Sequence, residues 1–241
     1  MKKLLLVILM MPFASQAQFK DLVKKANQTI SAAKSNNSTL DISAGLKEAL
    51  QKGVDEQVVK LTATDGFFRN EAVKILLPEE LQRVDKALRK AGMGKLADDG
   101  IRSLNRAAED AVKEATPIFV TAIKNMSVTD AKNILMGNSN AATSFLENST
   151  SKPLYLKFSP VVKSSLGKVG ADKIWENIMN KYNSLPFVAK VNPDINDYVT
   201  KKALDGVFKM IAVEELKIRN NISARTSPLL QQVFALQDKK Q

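Results

Sequence analysis

The sequence contains no cysteine and no histidine. Without cysteine no disulfide can form, so packing alone must stabilise the fold even in an oxidising compartment. Without histidine the chain has no Ser-His-Asp or Cys-His catalytic arrangement and no imidazole ligand for zinc. Paired carboxylates, a Ser-Lys dyad, tyrosine or lysine remain as catalytic options, and none occurs in a recognisable spacing. The sequence therefore predicts no cofactor and no metal, and it leaves catalysis open.

Basic residues outnumber acidic ones, with 36 Lys and Arg against 25 Asp and Glu and a formal net charge of +11. Such a charge favours association with anionic surfaces in the cell envelope. The lysines are dispersed along the sequence, which is typical of helix faces that are simply solvated. No basic cluster is interleaved with the aromatic residues, so we predict no specific binding of nucleic acid.

The N-terminus has the pattern of a secretory leader. Lys2-Lys3 precedes an apolar run, Leu4–Phe13, and the small-residue stretch Ala14-Ser15-Gln16-Ala17 follows. This pattern predicts a signal peptide over residues 1–17, cut before Gln18. The run is too short for a permanent membrane anchor, so we expect no transmembrane segment after cleavage. Because the chain has no cysteine, we predict that it is not a lipoprotein.

The remainder divides by composition into three parts. Residues 18–40 predict an N-terminal helix followed by the polar linker Ser35–Ser38. Residues 41–236 carry helical periodicity throughout and predict a single all-helical domain. Residues 237–241 predict a disordered tail.

The domain is predicted to be all-α, an irregular bundle of roughly ten helices. Apolar residues recur at four-residue intervals, as in the stripe Ile42, Leu46, Leu50, Val54 and Val58. Strand alternation is nearly absent, and at most one very short extended segment is predicted, near residues 73–77 before Pro78.

Prolines divide the longer helical patterns. The longest pattern, Lys95–Met126, is predicted to be kinked or interrupted at Pro117. A short helix is predicted over Asn140–Glu147, and a separate one over Leu154–Leu166, bent at Pro160. The last long helix is predicted over Asp194–Asn220.

Helical-wheel placement puts several polar residues where apolar ones are expected. Glu214 falls in the middle of the buried side of the Asp194–Asn220 helix, and Asn105 lies at the edge of an apolar face. Arg102, Arg106 and Glu109 lie farther round that second helix, at spacings that let them meet. These five residues are the candidate ligand-binding residues, and the sequence supplies no catalytic assignment.

Two interpretations of these residues remain open. In the structural one, Glu214 pairs with Arg102 or Arg106 while Asn105 caps or bridges the backbone, because buried ion pairs usually fix packing. In the functional one, they line a polar pocket that holds a ligand or an acid–base carboxylate. The neighbouring residues Glu215 and Arg219 predict a surface ion pair at i and i+4.

Several segments together resemble the bacterial family called domain of unknown function 4197. They are Ile101–Glu109, Met126–Ala131, Ala141–Thr143, Phe158–Val161, Ala203–Phe208, Glu214-Glu215 and Ile218-Arg219. The likeness covers about Asp41 to Phe234. It implies an exported, largely helical domain of Gram-negative bacteria, hence a periplasmic location, and it implies no activity, substrate or catalytic residue.

Three functional hypotheses follow. The first is a non-enzymatic module that binds an envelope component or small amphipathic ligand in a cavity lined by Asn105, Arg106 and Glu214. The second is a structural or interaction protein that docks on an anionic membrane surface or a partner protein. The third is a hydrolase that uses carboxylates such as Glu109 and Glu214. The sequence favours the first slightly over the second, and both over the third.

Overall fold

The structure is a computed structural model that describes residues 42–184, 186–187, 190, 192 and 194–238. The described residues belong to one unit of the chain, Ile42–Gln241. The predictions for the leader 1–17, for residues 18–40 and for residues 239–241 lie outside the described residues.

Helices form all the regular secondary structure of this part of the chain, which confirms the all-α class. Among the described residues, eight helices have both ends defined, and a further helical segment, residues 42–62, precedes them. The number of helices is therefore slightly smaller than the roughly ten expected. Residues 74–78 are irregular, and no strand occurs among the described residues. The helices are α1 (42–62), α2 (Glu79–Lys90), α3 (Gly94–Val112), α4 (Ala115–Asn125), α5 (Val128–Met136), α6 (Ala141–Lys168), α7 (Ala171–Asn183), α8 (Ile195–Asn220) and α9 (Pro228–Asp238), with a 3-10 turn at Ile222–Ala224. Helix α9 includes residues 237 and 238, which the sequence assigned to the tail.

The pattern Lys95–Met126, predicted to be kinked or interrupted at Pro117, is interrupted and forms two helices. Helix α3 ends at Val112 and α4 begins at Ala115, so Pro117 lies in the first turn of α4 rather than at a kink. Backbone N–H groups in a first turn have no partner within the helix, so proline costs little there. The break therefore precedes the proline instead of coinciding with it.

The opposite correction applies to α6, which continues through Pro153 and Pro160 where two helices were predicted. Both prolines are exposed, so the carbonyl groups that lose their partners lie on the solvent side. The buried side is continuous, with one residue per turn in the core. That stripe comprises Leu146, Thr150, Leu154, Phe158, Val162 and Leu166. Burying it over the full length outweighs the cost of two proline interruptions.

The core lies among α3, α6 and α8, which pack against one another, while α4 packs on α6. Alanines on α3 are fully buried and allow the neighbouring helices to approach closely. Phe119 of α4 meets Phe208 of α8 edge to face, with ring centroids 6.0 Å apart. The same hydrophobic cluster includes residues of α1, α5, α7 and α9, so these helices share one core.

Candidate functional site

Asn105 lies on α3 and is completely buried, with 0% of its surface exposed. Its side-chain oxygen accepts a hydrogen bond from the Ile75 N–H at 2.8 Å, and its amide donates to the Ile75 carbonyl at 2.8 Å. The amide also donates to the Ile101 carbonyl at 2.8 Å. The Asn105 side chain thus gives the Ile75 N–H and carbonyl the hydrogen-bond partners that a neighbouring strand would otherwise provide. The structural interpretation of Asn105, as a bridge to backbone, is confirmed.

Arg102, Arg106 and Glu109 come together, as their spacing predicted, around a residue that sequence reasoning missed. Asp65, in the turn after α1, accepts from Arg106 at 2.7 Å and lies 3.6 Å from Arg102. Arg106 also donates to Glu109 at 2.8 Å. The Arg102 guanidinium lies over the Phe68 ring, 4.4 Å from its centroid. The Asp65-Gly66 turn signal was visible in the sequence, but its position beside α3 was not.

Glu109 also belongs to the cluster of Asp65, Arg102 and Arg106, and its carboxylate is buried rather than exposed to solvent. Its second carboxylate oxygen accepts from the Phe67 N–H at 3.1 Å, and the residue is 3% exposed. Asp65 has a φ of 62°, a left-handed conformation that aspartate tolerates better than most residues. The two arginines and Glu109 therefore hold the turn between α1 and residues 74–78 against α3.

Glu214 is buried, as predicted, but its predicted partners are wrong. Its carboxylate accepts from Gln57 of α1 at 2.9 Å and from Lys217 of α8 at 3.0 Å, and not from Arg102 or Arg106. This side of α8 faces α1, since a Cβ added to Gly53 would lie 3.6 Å from the Glu214 Cγ. The hydrogen bond and the charge of Glu214 raise the pKa of Lys217.

Glu215 and Arg219 form the predicted ion pair at 2.8 Å, yet both side chains are buried rather than on the surface. The Glu215 carboxylate accepts from the backbone N–H groups of Ala142 and Thr143, at 2.9 and 2.8 Å, in the first turn of α6. Arg219 donates to the carbonyl of Ile134 at the end of α5. The negative Glu215 thus lies at the N-terminus of α6, and the positive Arg219 lies at the C-terminus of α5. Both charges interact favourably with the helix dipoles.

The space beside Glu215, the residue that follows Glu214 on α8, is too small for a ligand. Between α1 and α8 the space bordered by Gly53, Ile211, Glu215 and Ile218 has a volume of about 30 Å³, room for little more than a water molecule. The polar atoms of Asn105 and Glu214 named above bond to protein groups. Ligand binding by the five candidate residues therefore stays a prediction, with Arg102 and Arg106 the more exposed among them.

A much larger groove, of about 710 Å³, runs between α4 and the first half of α6. Apolar groups and three ionisable side chains line it together: Pro117, Ile118, Ala122, Phe145 and Pro153, with Glu114, Asp130 and Lys157. Sequence reasoning treated its two prolines only as helix breakers and so missed it. Pairing them required knowing that α4 and α6 are neighbours.

Another, smaller groove, of about 210 Å³, lies between α3 and the end of α6. Arg102, Arg106 and Lys168 line it together with the hydroxyl residues Ser103 and Ser165. Asp110 borders the same space: burial would raise its pKa, but hydrogen bonds from Lys113 and Ser165 outweigh this and lower it. The groove is therefore mainly basic and hydrogen-bonding.

Within the described part of the chain, no group of three or more acidic residues is placed to hold a metal ion. None of the helices described there is both long enough and apolar enough to cross a membrane.

No curated protein and no solved structure matches the chain significantly. A family model described as "Protein of unknown function (DUF4197)" matches residues 36–235. The match extends from before α1 into α9, so it includes the polar clusters and both grooves. The chain therefore belongs to the DUF4197 family.

Proposed function

We propose that this protein is an exported, periplasmic, non-enzymatic module that binds a small amphipathic ligand or envelope component in the groove between α4 and α6. The leader pattern at residues 1–17 supports export. The groove supports binding, because it has the size and the mixed lining that a small-molecule site requires.

The observation that carries the proposal is the composition of the groove. Its volume of about 710 Å³ falls in the range of ligand sites, which is roughly 300–1,000 Å³. Ile118, Ala122 and Phe145 offer apolar contact, and Lys157 offers a cation for an anionic head group. Glu114 and Asp130 border the same space and disfavour a ligand with several negative charges.

The basic groove between α3 and α6 is where the candidate residues Arg102 and Arg106 would meet an anionic group of an envelope component. Both guanidiniums already form ion pairs with Asp65. An anionic ligand there would therefore compete with Asp65 for the arginines or bind beside it. Ser103 and Ser165 add hydroxyl donors at the wall of this groove. This supports a role in ligand orientation secondary to the larger groove.

The hydrolase hypothesis receives no comparable support. Glu109 bonds to Phe67 and Arg106, and Glu214 bonds to Gln57 and Lys217. A catalytic carboxylate must be accessible to the substrate in a cleft, whereas Glu109 is 3% exposed and Glu214 is 6% exposed.

Ligand binding is tested by measuring the fluorescence of N-phenylnaphthylamine with the purified protein, together with native mass spectrometry for a retained molecule. Ala122→Phe places a ring in the groove and should weaken probe binding at least about tenfold, because the ring occupies space in which the probe would make its apolar contacts. Ala212→Phe, on α8 at a similarly half-exposed position, is the control and should bind as the parent does. Equal binding by both variants, or an empty protein that ignores the probe, would reject the groove.

Export is tested separately by cell fractionation and by the intact mass of the protein. We expect a periplasmic product that begins at Gln18. A cytoplasmic product that retains residues 1–17 would refute export without bearing on the groove.

A further inference from the structure

The outer side of α6 carries four exposed lysines and no acid. From residue 148 to residue 170 the sequence has no aspartate or glutamate. We name this side of α6 the lysine face; its lysines are Lys152, Lys157, Lys163 and Lys168. Some lysines elsewhere pair with acids one turn away, as Lys95 does with Asp99 at 2.7 Å. No ion pair of a lysine-face residue occurs among the residues that the structure describes.

Helix geometry arranges these lysines in two rows. Lys152 and Lys163 are three turns apart and differ by about 20° around the axis, and the same spacing separates Lys157 from Lys168. The two rows are about 140° apart around the helix axis. Between them lie Leu156, which is 65% exposed, and the two exposed prolines of α6. The face therefore places these three residues, which we name the apolar strip, between two rows of ammonium groups.

This arrangement matches the interface of an anionic bilayer. An amphipathic helix that lies on a membrane places apolar groups at the boundary with the acyl chains and keeps lysines at head-group level. The lysine stems reach sideways over apolar surface while the ammonium groups stay hydrated. No helix in the described part of the chain is suited to crossing the membrane, so such contact would be peripheral.

Acidic groups near the face reduce its positive charge, but none of them forms an ion pair with its four lysines among the described residues. Asp172 of α7 is one of these groups, since a Cβ added to Gly167 would lie 3.7 Å from its Oδ2. Asp110, beside Lys168, is bonded to Lys113 and Ser165. Across the α4–α6 groove from Lys157, Asp130 accepts from Ser127, and Glu114 is exposed. Glu147 lies one turn before the face begins and is the nearest acid on α6 itself.

We infer that the lysine face docks on the surface of a bilayer that contains anionic phospholipid. The inference does not depend on a ligand in the α4–α6 groove. Each lysine near such a surface contributes about fivefold to partitioning, so the four acting together produce salt-dependent binding.

The test is co-sedimentation of the purified protein with phosphatidylcholine vesicles that contain or lack phosphatidylglycerol, at low and high salt. We expect binding only to the anionic vesicles and its loss at high salt, where charges on the surface are screened. Failure to bind anionic vesicles at low salt overturns the inference. Binding to an anionic polysaccharide but not to vesicles overturns it as well.

Two charge-matched variants separate this face from net charge. The first changes the four lysines of the lysine face to glutamine, and its binding should fall at least about tenfold. The control changes four exposed lysines on other helices to glutamine: Lys60, Lys132, Lys173 and Lys209. Circular dichroism verifies that both fold. An equal loss of binding in the two variants would show a charge effect without a face and would overturn the inference.

A second pair of variants tests the apolar strip. Leu156→Ser should weaken vesicle binding several-fold while leaving its salt dependence in place, because only the apolar contact is removed. Ile174→Ser is the control, since Ile174 on α7 is 61% exposed and lies outside the lysine face. Unchanged binding by Leu156→Ser, or an equal loss in the control, counts against contact through this face.

Discussion

At the residue scale, the buried polar side chains of this protein mainly complete the hydrogen bonding of backbone in other elements. Asn105 bonds to the backbone of Ile75, and Glu215 accepts from backbone N–H groups at the start of α6. Arg219 donates to a backbone carbonyl at the end of α5. Arg225 donates to the carbonyls of Ile218 and Arg219 at the end of α8. Buried backbone groups left without partners are costly, so these side chains fix where helices and turns meet.

We expect Glu215→Ala to destabilise the protein by about 3–5 kcal/mol, the cost of breaking a buried ion pair by removing one partner. Arg219 would then lack its carboxylate partner, and the N–H groups of Ala142 and Thr143 would lose their acceptor. Urea denaturation followed by circular dichroism measures the change. Asp205→Ala, which removes an exposed partner of Lys202, should change stability by less than about 0.5 kcal/mol. A similar small effect for Glu215→Ala would contradict the role of the pair.

Asn105→Ala should cost about 2–4 kcal/mol, because it leaves buried N–H and carbonyl groups of Ile75 without partners. Hydrogen exchange locates the effect: the Ile75 amide should exchange much faster, while amides in α8 change only in proportion to overall stability. Ser103→Ala removes a hydroxyl that bonds the Asp99 carbonyl on the exposed side of α3 and provides the control. Unaltered protection at Ile75 would show that this bridge does not hold residues 74–78.

At the element scale, tertiary contacts decide where helices begin, end and continue. Helix α6 passes through two prolines because its buried stripe is continuous. Its N-terminus has no side-chain cap of its own, since Asn140 makes no capping bond, and receives Glu215 of α8 instead. By contrast, Ser127 and Asp130 form a local capping box at the start of α5, the kind of signal that sequence contains.

Two glycines within helices should respond oppositely to alanine. A Cβ at Gly206 of α8 would lie 2.7 Å from the Phe67 ring, whereas a Cβ at Gly100 of α3 would meet nothing within 4 Å. Gly206→Ala should therefore destabilise by about 1–3 kcal/mol through overpacking. Gly100→Ala should stabilise by about 0.5–1 kcal/mol through helix propensity. Urea titration of the two variants checks both signs, and stabilisation by both would mean that Phe67 does not restrict α8.

At the scale of the whole molecule, one core without disulfides holds the described helices together. Trp175, the only tryptophan, is buried on α7 and stacks on Tyr198 of α8, with ring centroids 6.3 Å apart. A shared core links the unfolding of α7 to that of the central helices. Because the chain has no cysteine, its stability should not depend on reducing agents.

We therefore expect Trp175 fluorescence and far-ultraviolet circular dichroism to report the same urea midpoint, with or without dithiothreitol. Both signals should follow one transition because α7 packs on α6 and α8. A fluorescence transition that clearly precedes the loss of helix would instead show that α7 unfolds by itself.

The sequence by itself determined the all-helical class, because four-residue apolar periodicity and capping residues are local properties. It also located the polar residues that matter: Glu214 is buried, Arg102, Arg106 and Glu109 meet, and Asn105 bridges backbone. Periodicity marked Glu214 and Asn105, which fall within an apolar stripe or at its edge. Spacings of three and four residues marked the other three.

Only the tertiary structure decided which elements these residues join. Glu214 bonds to α1 rather than α3, Glu215 and Arg219 are buried at two helix ends, and Asp65 completes the arginine cluster. The α4–α6 groove is likewise a property of two helices that are distant in sequence. Spacing within one helix fixes the direction of a side chain around its axis, but the partner in that direction depends on how all the helices pack.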